Sequence, residues 1–572
     1  MENIVFLILR RMRQPLLTLL VVYAVSILGL TLIPGQDADG NVWHMDIFHA
    51  FYFVSYMATT IGFGEIPYAF TDSQRVWVSL SMYASVISWI YAFGTILALV
   101  QDRTFQKAIA ENRFARHIRK MREPFHLVCG YGETGSALVQ ALTLRGQHAV
   151  VIDIDETRTS IIQLQDLREF VPALNADAAD IHHLREAGLE HPSCTGVVAL
   201  TDDNEVNLKI AIAAKLLNPK VKVISRADSH DVEDNMASFG TDHIVDPFDT
   251  FAAYLAVAFQ VPCLYLLQQW LTGREGTELS EPVYPPQDGR WIVCGYGRFG
   301  KAICARLQDE GIDVVVVEAR PELTGRPEAG TGFVTGRGTE ADTLSEAGVE
   351  DAAGLVAGTD NDANNLSIVM TARELNSDLF VVVRQNQRGN RDIISAVNAE
   401  MVMHPSEIIA DKIRVLLATP MLYEFLSLAL HESDSWACEL ASRVTALVRE
   451  EVPNIRELQI DTEDTHVLHD YLVRGGHFSV EDLLRDTWQR SRTLKAIVLL
   501  IRRRNDRILL PGQECPLKPG DRLLICGNRG AFTRMYWTVS HRHTLDYIKT
   551  GADQPQSWIW RRLLARNRYA KH

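Results

Sequence analysis

Two sets of residues in this chain have types and spacings suited to chemistry. The first is Thr59-Thr60-Ile61-Gly62-Phe63-Gly64-Glu65, placed between two uncharged hydrophobic stretches. Glycines at alternate positions permit unusual dihedrals, so a run of carbonyl oxygens can replace water around a cation. The second is Gly-x-Gly-x-x-Gly, which occurs twice: Gly130, Gly132 and Gly135, then Gly295, Gly297 and Gly300. An acidic residue stands 18 positions after each last glycine, Asp153 and Glu318. Such glycines let a phosphate approach a helix N-terminus, and the carboxylate accepts hydrogen bonds from a ribose. The alternative for either copy is a nucleotide fold kept only for its shape.

The elements around the first loop must hold it at membrane depth. Leu16 to Ile33 is 18 residues without a charge, about 27 Å as a helix and close to one bilayer core. Val76 to Val100 is 25 such residues, about 37 Å, enough to cross with tilt. Arg10, Arg11 and Arg13 before the first stretch also fit a signal peptide. No small-residue cleavage site follows, however, and a second span does. Seven basic residues from Arg103 to Arg122 follow the second stretch, whereas the connecting segment carries five acidic residues and Arg75 alone. The positive-inside rule then puts both termini in the cytoplasm of a multi-pass inner-membrane protein. Asp46 to Thr59 is apolar, aromatic and too short to cross, so it reads as a re-entrant helix. In the second span Gly94 is either a hinge or a small residue for helix packing, and Leu97 is a candidate for an apolar constriction.

The remainder of the chain is acidic. Residues 1–122 carry 11 basic and 8 acidic side chains, while the whole chain has a formal charge of −14. This argues against nucleic acid as a partner. The eight cysteines include no Cys-x-x-Cys, and their apolar surroundings predict buried free thiols in a reducing compartment.

Internal repetition extends beyond the glycines. Phe125 to Gly132 recurs as Arg290 to Gly297 at an offset of 165 residues. Further on, Thr201-Asp202-Asp203-Asn204 recurs as Thr359-Asp360-Asn361-Asp362, and Arg226 as Arg384, at an offset of 158. Strand-like runs near 126–129, 148–152, 196–200 and 221–225 alternate with helical ones. A duplicated, doubly wound α/β domain with a parallel sheet is expected.

Thr60-Ile61-Gly62-Phe63-Gly64 resembles the Thr-Val-Gly-Tyr-Gly potassium filter, with conservative changes at two positions. Glu65 stands where that family usually has Asp, and Phe63 lacks a hydroxyl that usually braces the filter. With the duplicated domain, the chain resembles two-span potassium channels carrying tandem RCK (regulator of potassium conductance) domains. The resemblance implies a helical pore domain over residues 1–122. It implies Rossmann-like lobes over 123–248 and 289–405, each followed by crossover segments, 249–288 and 406–444. A small α+β C-lobe over 445–530 and a basic tail over 531–572 complete it, the first copy lacking a C-lobe. It also implies a homotetramer with an eight-copy RCK ring, potassium as the permeant ion, and gating by NAD, ADP or ATP, or calcium.

Carried over by position, Gly130, Gly132, Gly135, Asp153, Asp177, Thr201, Asp202 and Arg226 would hold the first nucleotide, with Arg226 on phosphate. Gly295, Gly297, Gly300, Glu318, Thr359, Asp360 and Arg384 would hold the second. There the family's Gly-Asp-Ala-Thr turn departs to Gly336-Arg337-Gly338-Thr339. Arg337 and Arg320 make the second crevice more basic, so the two sites are expected to differ in ligand. Each Arg could instead serve a surface salt bridge. Asp461, Glu463, Asp464, His466 and His469 are a candidate divalent site or a solvated loop, and Trp558 to Arg568 is a basic, aromatic stretch suited to headgroups or to the acidic ring. A regulatory subunit of a potassium transporter is the runner-up, against which the filter loop argues. An NAD-dependent oxidoreductase is a remote third, for want of a catalytic constellation.

Overall fold

The computed structural model describes residues 2–228, 230–273, 277–448 and 451–551. The chain forms two compact units, Met1–Met121 and Arg122–His572. The stretch from Trp558 to Arg568 lies outside the described residues.

The first unit is helical: α1 (Glu2–Leu32), α2 (Ile47–Ala58), α3 (Asp72–Gln101) and α4 (Arg103–Ile118). Arg10–Leu32 and α3 are long and apolar enough to cross a membrane. Their surfaces are inverted relative to a water-soluble helix. On α3 the buried residues are small or polar apart from Leu99, among them Ser81, Ser85, Ser88 and Ala92. Val76, Leu80, Tyr83, Ile87, Ile90 and Phe93 are exposed. Small residues let helix backbones approach where lipid offers no hydrophobic incentive to associate. The close approach falls at Gly29, where an added Cβ would lie 2.0 Å from the Trp77 ring. The Trp77 indole N–H donates to the Ser26 carbonyl at 3.1 Å. A Cβ at Gly94 would meet nothing within 4 Å. Within this subunit Gly94 is therefore no packing point.

In the second unit two six-stranded parallel sheets have the same order, 3-2-1-4-5-6. The first lobe uses strands Phe125–Cys129, His148–Asp153, Ala173–Asn175, Cys194–Ala199, Lys222–Arg226 and His243–Val245. The second uses Arg290–Cys294, Asp313–Glu318, Gly332–Thr335, Gly354–Ala357, Phe380–Arg384 and Met401–Met403. The central strands are buried along almost their whole length and rich in Val, Ile and Leu, as parallel strands covered on both faces require. This is the doubly wound arrangement, with its crevice where the strand order reverses.

The helices after each lobe exchange places. Pro247–Gln260 follows the first lobe, yet its Phe251, Leu255 and Phe259 pack with Trp291, Phe299 and Ile303 of the second. Pro405–Ala418 follows the second lobe, and its Ile409, Ile413 and Leu416 pack with Val128, Leu138 and Leu142 of the first. Each lobe thus completes its core with a helix from the other end of the repeat. After the first lobe come helices and the linker to Arg290, with no further sheet among the described residues. After the second, a four-stranded antiparallel sheet forms in the order Asn454–Gln459, Arg522–Gly527, Ala496–Arg503, Asp506–Leu509. Residues 531–550, read from the sequence as part of the tail, lie largely in helices Arg529–Ser540 and Arg542–Thr550. Their Met535, Val539, Leu545 and Ile548 are buried in the core of this C-terminal region.

The cysteine expectation needs one correction. Cys263 and Cys438 are joined by a disulfide across 175 residues, whereas the other six are free. Helices Pro262–Thr272 and Asp434–Val448 share one apolar core, which brings the two residues to a Cα–Cα distance of 5.0 Å.

His126, on the first strand of the first lobe, is buried with a side-chain contact to Thr195 at 3.3 Å. Desolvation, aided by the Lys222 ammonium, pushes its imidazole down to about 4. An unfolded histidine binds its proton near pH 6.5, so between about 6.5 and 4 the unfolded chain binds more protons. Stability is then lost as pH falls through that window, by about 3 kcal/mol at its lower end. Melting curves at pH 7 and pH 4.5 should show a smaller drop for His126→Gln than for the native protein.

Candidate functional sites: a carbonyl-lined loop and two nucleotide crevices

The loop of the first unit follows directly from the end of α2. The amides of Thr60 and Ile61 donate back to the Met57 and Tyr56 carbonyls at 3.1 and 3.0 Å. The carbonyls of Thr60, Ile61, Gly62 and Phe63 accept no hydrogen bond from any described residue. The sign of φ alternates, with +62° at Thr60, +66° at Gly62 and +95° at Gly64. A threonine in the left-handed region costs about 1–3 kcal/mol and persists only where its surroundings impose it. The surroundings here are aromatic. Tyr56 donates its hydroxyl to the Gly64 carbonyl, and its ring meets Phe63 edge-on at 5.3 Å. Tyr52 stacks on Phe63 at 6.5 Å and meets Tyr56 edge-on at 5.5 Å, so the three rings form one cluster. The brace expected to be missing with a Phe at position 63 is thus supplied by Tyr56, which the sequence reading did not single out. Glu65 accepts from the Arg75 guanidinium at 2.9 Å and from the Phe70 amide at 2.9 Å. Leu97 lies on the exposed face of α3.

In the second unit the two glycine motifs build the same turn. Gly130 and Gly295 have φ of +101° and +98°. A Cβ on Gly135 would lie 2.0 Å from the Gly130 carbonyl oxygen, and one on Gly300 would lie 1.9 Å from that of Gly295. Gly132 and Gly297 are the N-caps of helices Glu133–Leu144 and Arg298–Asp309, and neither end has a side-chain cap. The first amides of these helices are therefore open to an anion. A Cβ on Gly297 would meet nothing within 4 Å, so the space that a phosphate needs is present.

The acidic residues Asp153 and Glu318 are engaged within their own lobes. Asp153 accepts from the amides of Tyr131 and Asp155, and Glu318 from those of Tyr296 and Arg320 at 2.7 and 2.8 Å. They tie the glycine turn to the end of the second strand. Thr201 and Thr359 are likewise engaged locally, each hydroxyl donating to a fully buried asparagine, Asn207 or Asn365, at 2.8 and 2.6 Å. Each asparagine amide donates in turn to the carbonyl of Arg226 or Arg384, locking adjacent strand ends together. These asparagines recur at the offset of 158, so the repeat itself carried the signal.

The second crevice is an open cavity of about 760 Å³. Gly295, Gly297, Glu318, Arg337, Thr359, Asp360 and Arg384 all line it, with Arg298 and Arg320 beside them. Gly300 lies beneath, inside the helix. Arg384 is half-buried, its guanidinium 4.8 Å over the Phe299 ring, and its Nε has no hydrogen-bond partner. Desolvation holds its pKa below the ordinary value despite the nearby carboxylates of Asp360 and Asp362. A dianionic phosphate would reverse that penalty.

The first crevice has the same frame, with acidic residues at three positions where the second has arginine, and Arg158 beside Asp153 and Asp155. Hydrogen-bonded turns place Asp155 where the second copy has Arg320, and Asp177 where it has Arg337. Glu133 opens the helix where Arg298 does in the second copy. Arg226 is not free but pairs with Asp202 at 3.2 Å and Asp228 at 3.0 Å. The salt-bridge alternative thus describes Arg226, whereas no salt bridge to Arg384 forms among the described residues. Asp461, Glu463 and Asp464 form a self-capped turn, the Asp461 carboxylate accepting from both following amides. Among the described residues, the one convergent metal-ligand group is Cys263, Asp434 and Cys438, two of which form the disulfide.

Comparison with known proteins agrees with this frame. Residues 126–247 and 291–405 match the TrkA-N domain. Potassium channel protein 1 of Methanocaldococcus jannaschii is 25% identical over 204 residues, 36% of this chain and 59% of that protein. The voltage-gated potassium channel Kch of Escherichia coli is 27% identical over 178 residues, 31% of this chain and 40% of that one. The chain thus spans less than two thirds of the length of either relative. The solved GsuK channel aligns over 94% of this chain and 100% of its own, with 16% identity and a TM-score of 0.48. Two tandem segments of the chain thus match the TrkA-N domain, and the chain is similar to archaeal potassium channel proteins over part of its length.

Proposed function

We propose that the chain is the subunit of a potassium-selective channel of the cell membrane, opened and closed by nucleotides bound in its TrkA-N crevices. The observation that carries the pore is the row of unpaired carbonyls from Thr60 to Phe63, between two helices long enough to span a bilayer. Backbone carbonyls left unpaired at membrane depth must be satisfied by water or by ions. A ring of such loops, one from each copy, coordinates dehydrated potassium. That geometry calls for a homotetramer, with α1 and α3 as the spans, α2 as the re-entrant helix and both termini in the cytoplasm. The lobes form a ring of eight, and the segment from Gln101 to Glu123 joins the second span to the first lobe.

The open amides at Gly132 and Gly297 and the ribose-facing carboxylates support an adenine nucleotide or NAD as ligand. The unpaired Arg384 with Arg298, Arg320 and Arg337 favours the more highly phosphorylated nucleotide in the second crevice. Ligand gates the pore only through different affinities for the open and closed states. The role is one of binding, without turnover. The test of the crevices is calorimetric titration of the purified protein with ADP and NAD. Arg384→Gln should weaken binding at the second crevice by about tenfold or more, the value of a charged hydrogen bond of about 1.5–3 kcal/mol. Arg226→Gln should cost less at the first than Arg384→Gln does at the second, because the Arg226 guanidinium is already committed to two carboxylates.

A further inference from the structure

We infer that Asp228 is shared by the two crevices and makes their anionic ligands compete, an inference that rests on the reading of both crevices as anion sites. Asp228 lies two residues beyond Arg226, in a turn at the carboxyl end of the first lobe's fifth strand, and its side chain is 9% exposed. Its Oδ1 accepts from Arg226 Nε at 3.0 Å, and its Oδ2 from Arg226 Nη2 at 3.5 Å. The same Oδ2 accepts from Arg298 Nη1 at 3.0 Å. Arg298 belongs to the other lobe. It is the first residue of the helix capped by Gly297, it lines the second crevice, and its guanidinium rests 4.7 Å over the Phe248 ring. One buried carboxylate thus holds the phosphate-facing arginine of the first crevice and the entrance arginine of the second.

The repeat makes the arrangement specific to one copy. Arg226-Ala227-Asp228 corresponds to Arg384-Gln385-Asn386, so the second lobe has a neutral amide where the first has the carboxylate. The Asn386 amide donates to the Asp362 carboxylate and the Thr359 carbonyl. This is the physical reason that Arg226 is quenched while Arg384 stays open.

The sign of the coupling follows. A phosphate in the second crevice draws Arg298, whose side chain is 60% exposed, away from Asp228. The carboxylate then holds Arg226 alone and more tightly, so a phosphate in the first crevice must compete harder for it. The reverse holds with equal strength, since coupling of binding free energies is reciprocal. The two crevices are therefore negatively coupled, by about fivefold in affinity.

The test is calorimetric titration of full-length protein with ADP as probe. With Arg384→Gln weakening the second crevice, ADP should bind the first about fivefold tighter than it does when the second is filled. Asp228→Asn should abolish this difference and tighten the first crevice. Arg298→Gln should abolish it too but weaken the first crevice, because Asp228 is left to Arg226. Opposite shifts from the two ends of one ion pair are not produced by a merely structural role, since loss of fold would weaken the first crevice in both variants. If ADP binds and both variants shift the first crevice in the same direction, or leave it unchanged, the coupling is wrong while the nucleotide reading stands. If ADP binds neither crevice in the native protein, both fall together.

Discussion

Gly64→Ala is expected to end potassium-selective conduction while leaving nucleotide binding in the second unit unchanged. Gly64 has φ of +95°, and an added Cβ there would meet nothing within 4 Å of the subunit. The cost is therefore backbone conformation alone, about 1–2 kcal/mol per subunit for an L-residue held left-handed. Each 1.4 kcal/mol shifts a local equilibrium about tenfold, and every subunit of the ring carries the same change. The carbonyl of Gly64 is also the acceptor of the Tyr56 hydroxyl, so relaxing its dihedrals releases the brace on the loop. Bilayer recordings under a potassium/sodium gradient should show either no current or a reversal potential moved towards zero. Tyr56→Phe keeps the ring contact with Phe63 and removes only the hydroxyl, so it should reduce selectivity without ending conduction.

The second large effect is expected at Gly300. A Cβ there would lie 1.9 Å from the Gly295 carbonyl oxygen, a backbone atom that no rotamer change can move. Gly300→Ala must push the Arg298–Asp309 helix off the first strand of its sheet, at a cost of more than about 3 kcal/mol. The second crevice loses its phosphate cradle with that shift. The expected outcome is a lower melting temperature together with loss of one class of ADP site. Gly297→Ala is the matched control. Its Cβ meets nothing within 4 Å of the protein but occupies ligand space. It should leave the melting temperature nearly unchanged and weaken binding alone.

Features set by local pattern were legible in the sequence. The two apolar stretches, the Gly62-x-Gly64 loop, the tandem glycine turns and the alternation of strands and helices each depend on residues close together in the chain. The strand runs near 126–129 and 148–152 correspond to Phe125–Cys129 and His148–Asp153. Features set by tertiary contact were not legible. The exchange between lobes seats Pro247–Gln260 on the lobe that follows it and Pro405–Ala418 on a lobe more than a hundred residues before it, contacts that no local pattern specifies. The Cys263–Cys438 pair has the same origin, since no spacing rule links cysteines 175 residues apart. Arg226 and Arg384 look alike in sequence because both end a fifth strand. Contacts with Asp202 and Asp228 separate a paired guanidinium from an open one. Helices Arg529–Ser540 and Arg542–Thr550 were missed because their charged faces read as tail, while their buried residues are spaced along the opposite face.

The central claim is that nucleotide in the TrkA-N crevices sets the opening of a potassium pore built on Thr60 to Gly64. The direct test is current through purified protein in a planar bilayer, under a potassium/sodium gradient, with ADP or NAD added to the face exposing the TrkA-N lobes. The account predicts a reversal potential near the potassium value and an open probability that changes with nucleotide in the native protein. It predicts a shifted nucleotide dependence with unchanged selectivity in Arg384→Gln. A current that does not discriminate potassium from sodium, or one indifferent to nucleotide in protein that calorimetry shows to bind it, would contradict the account.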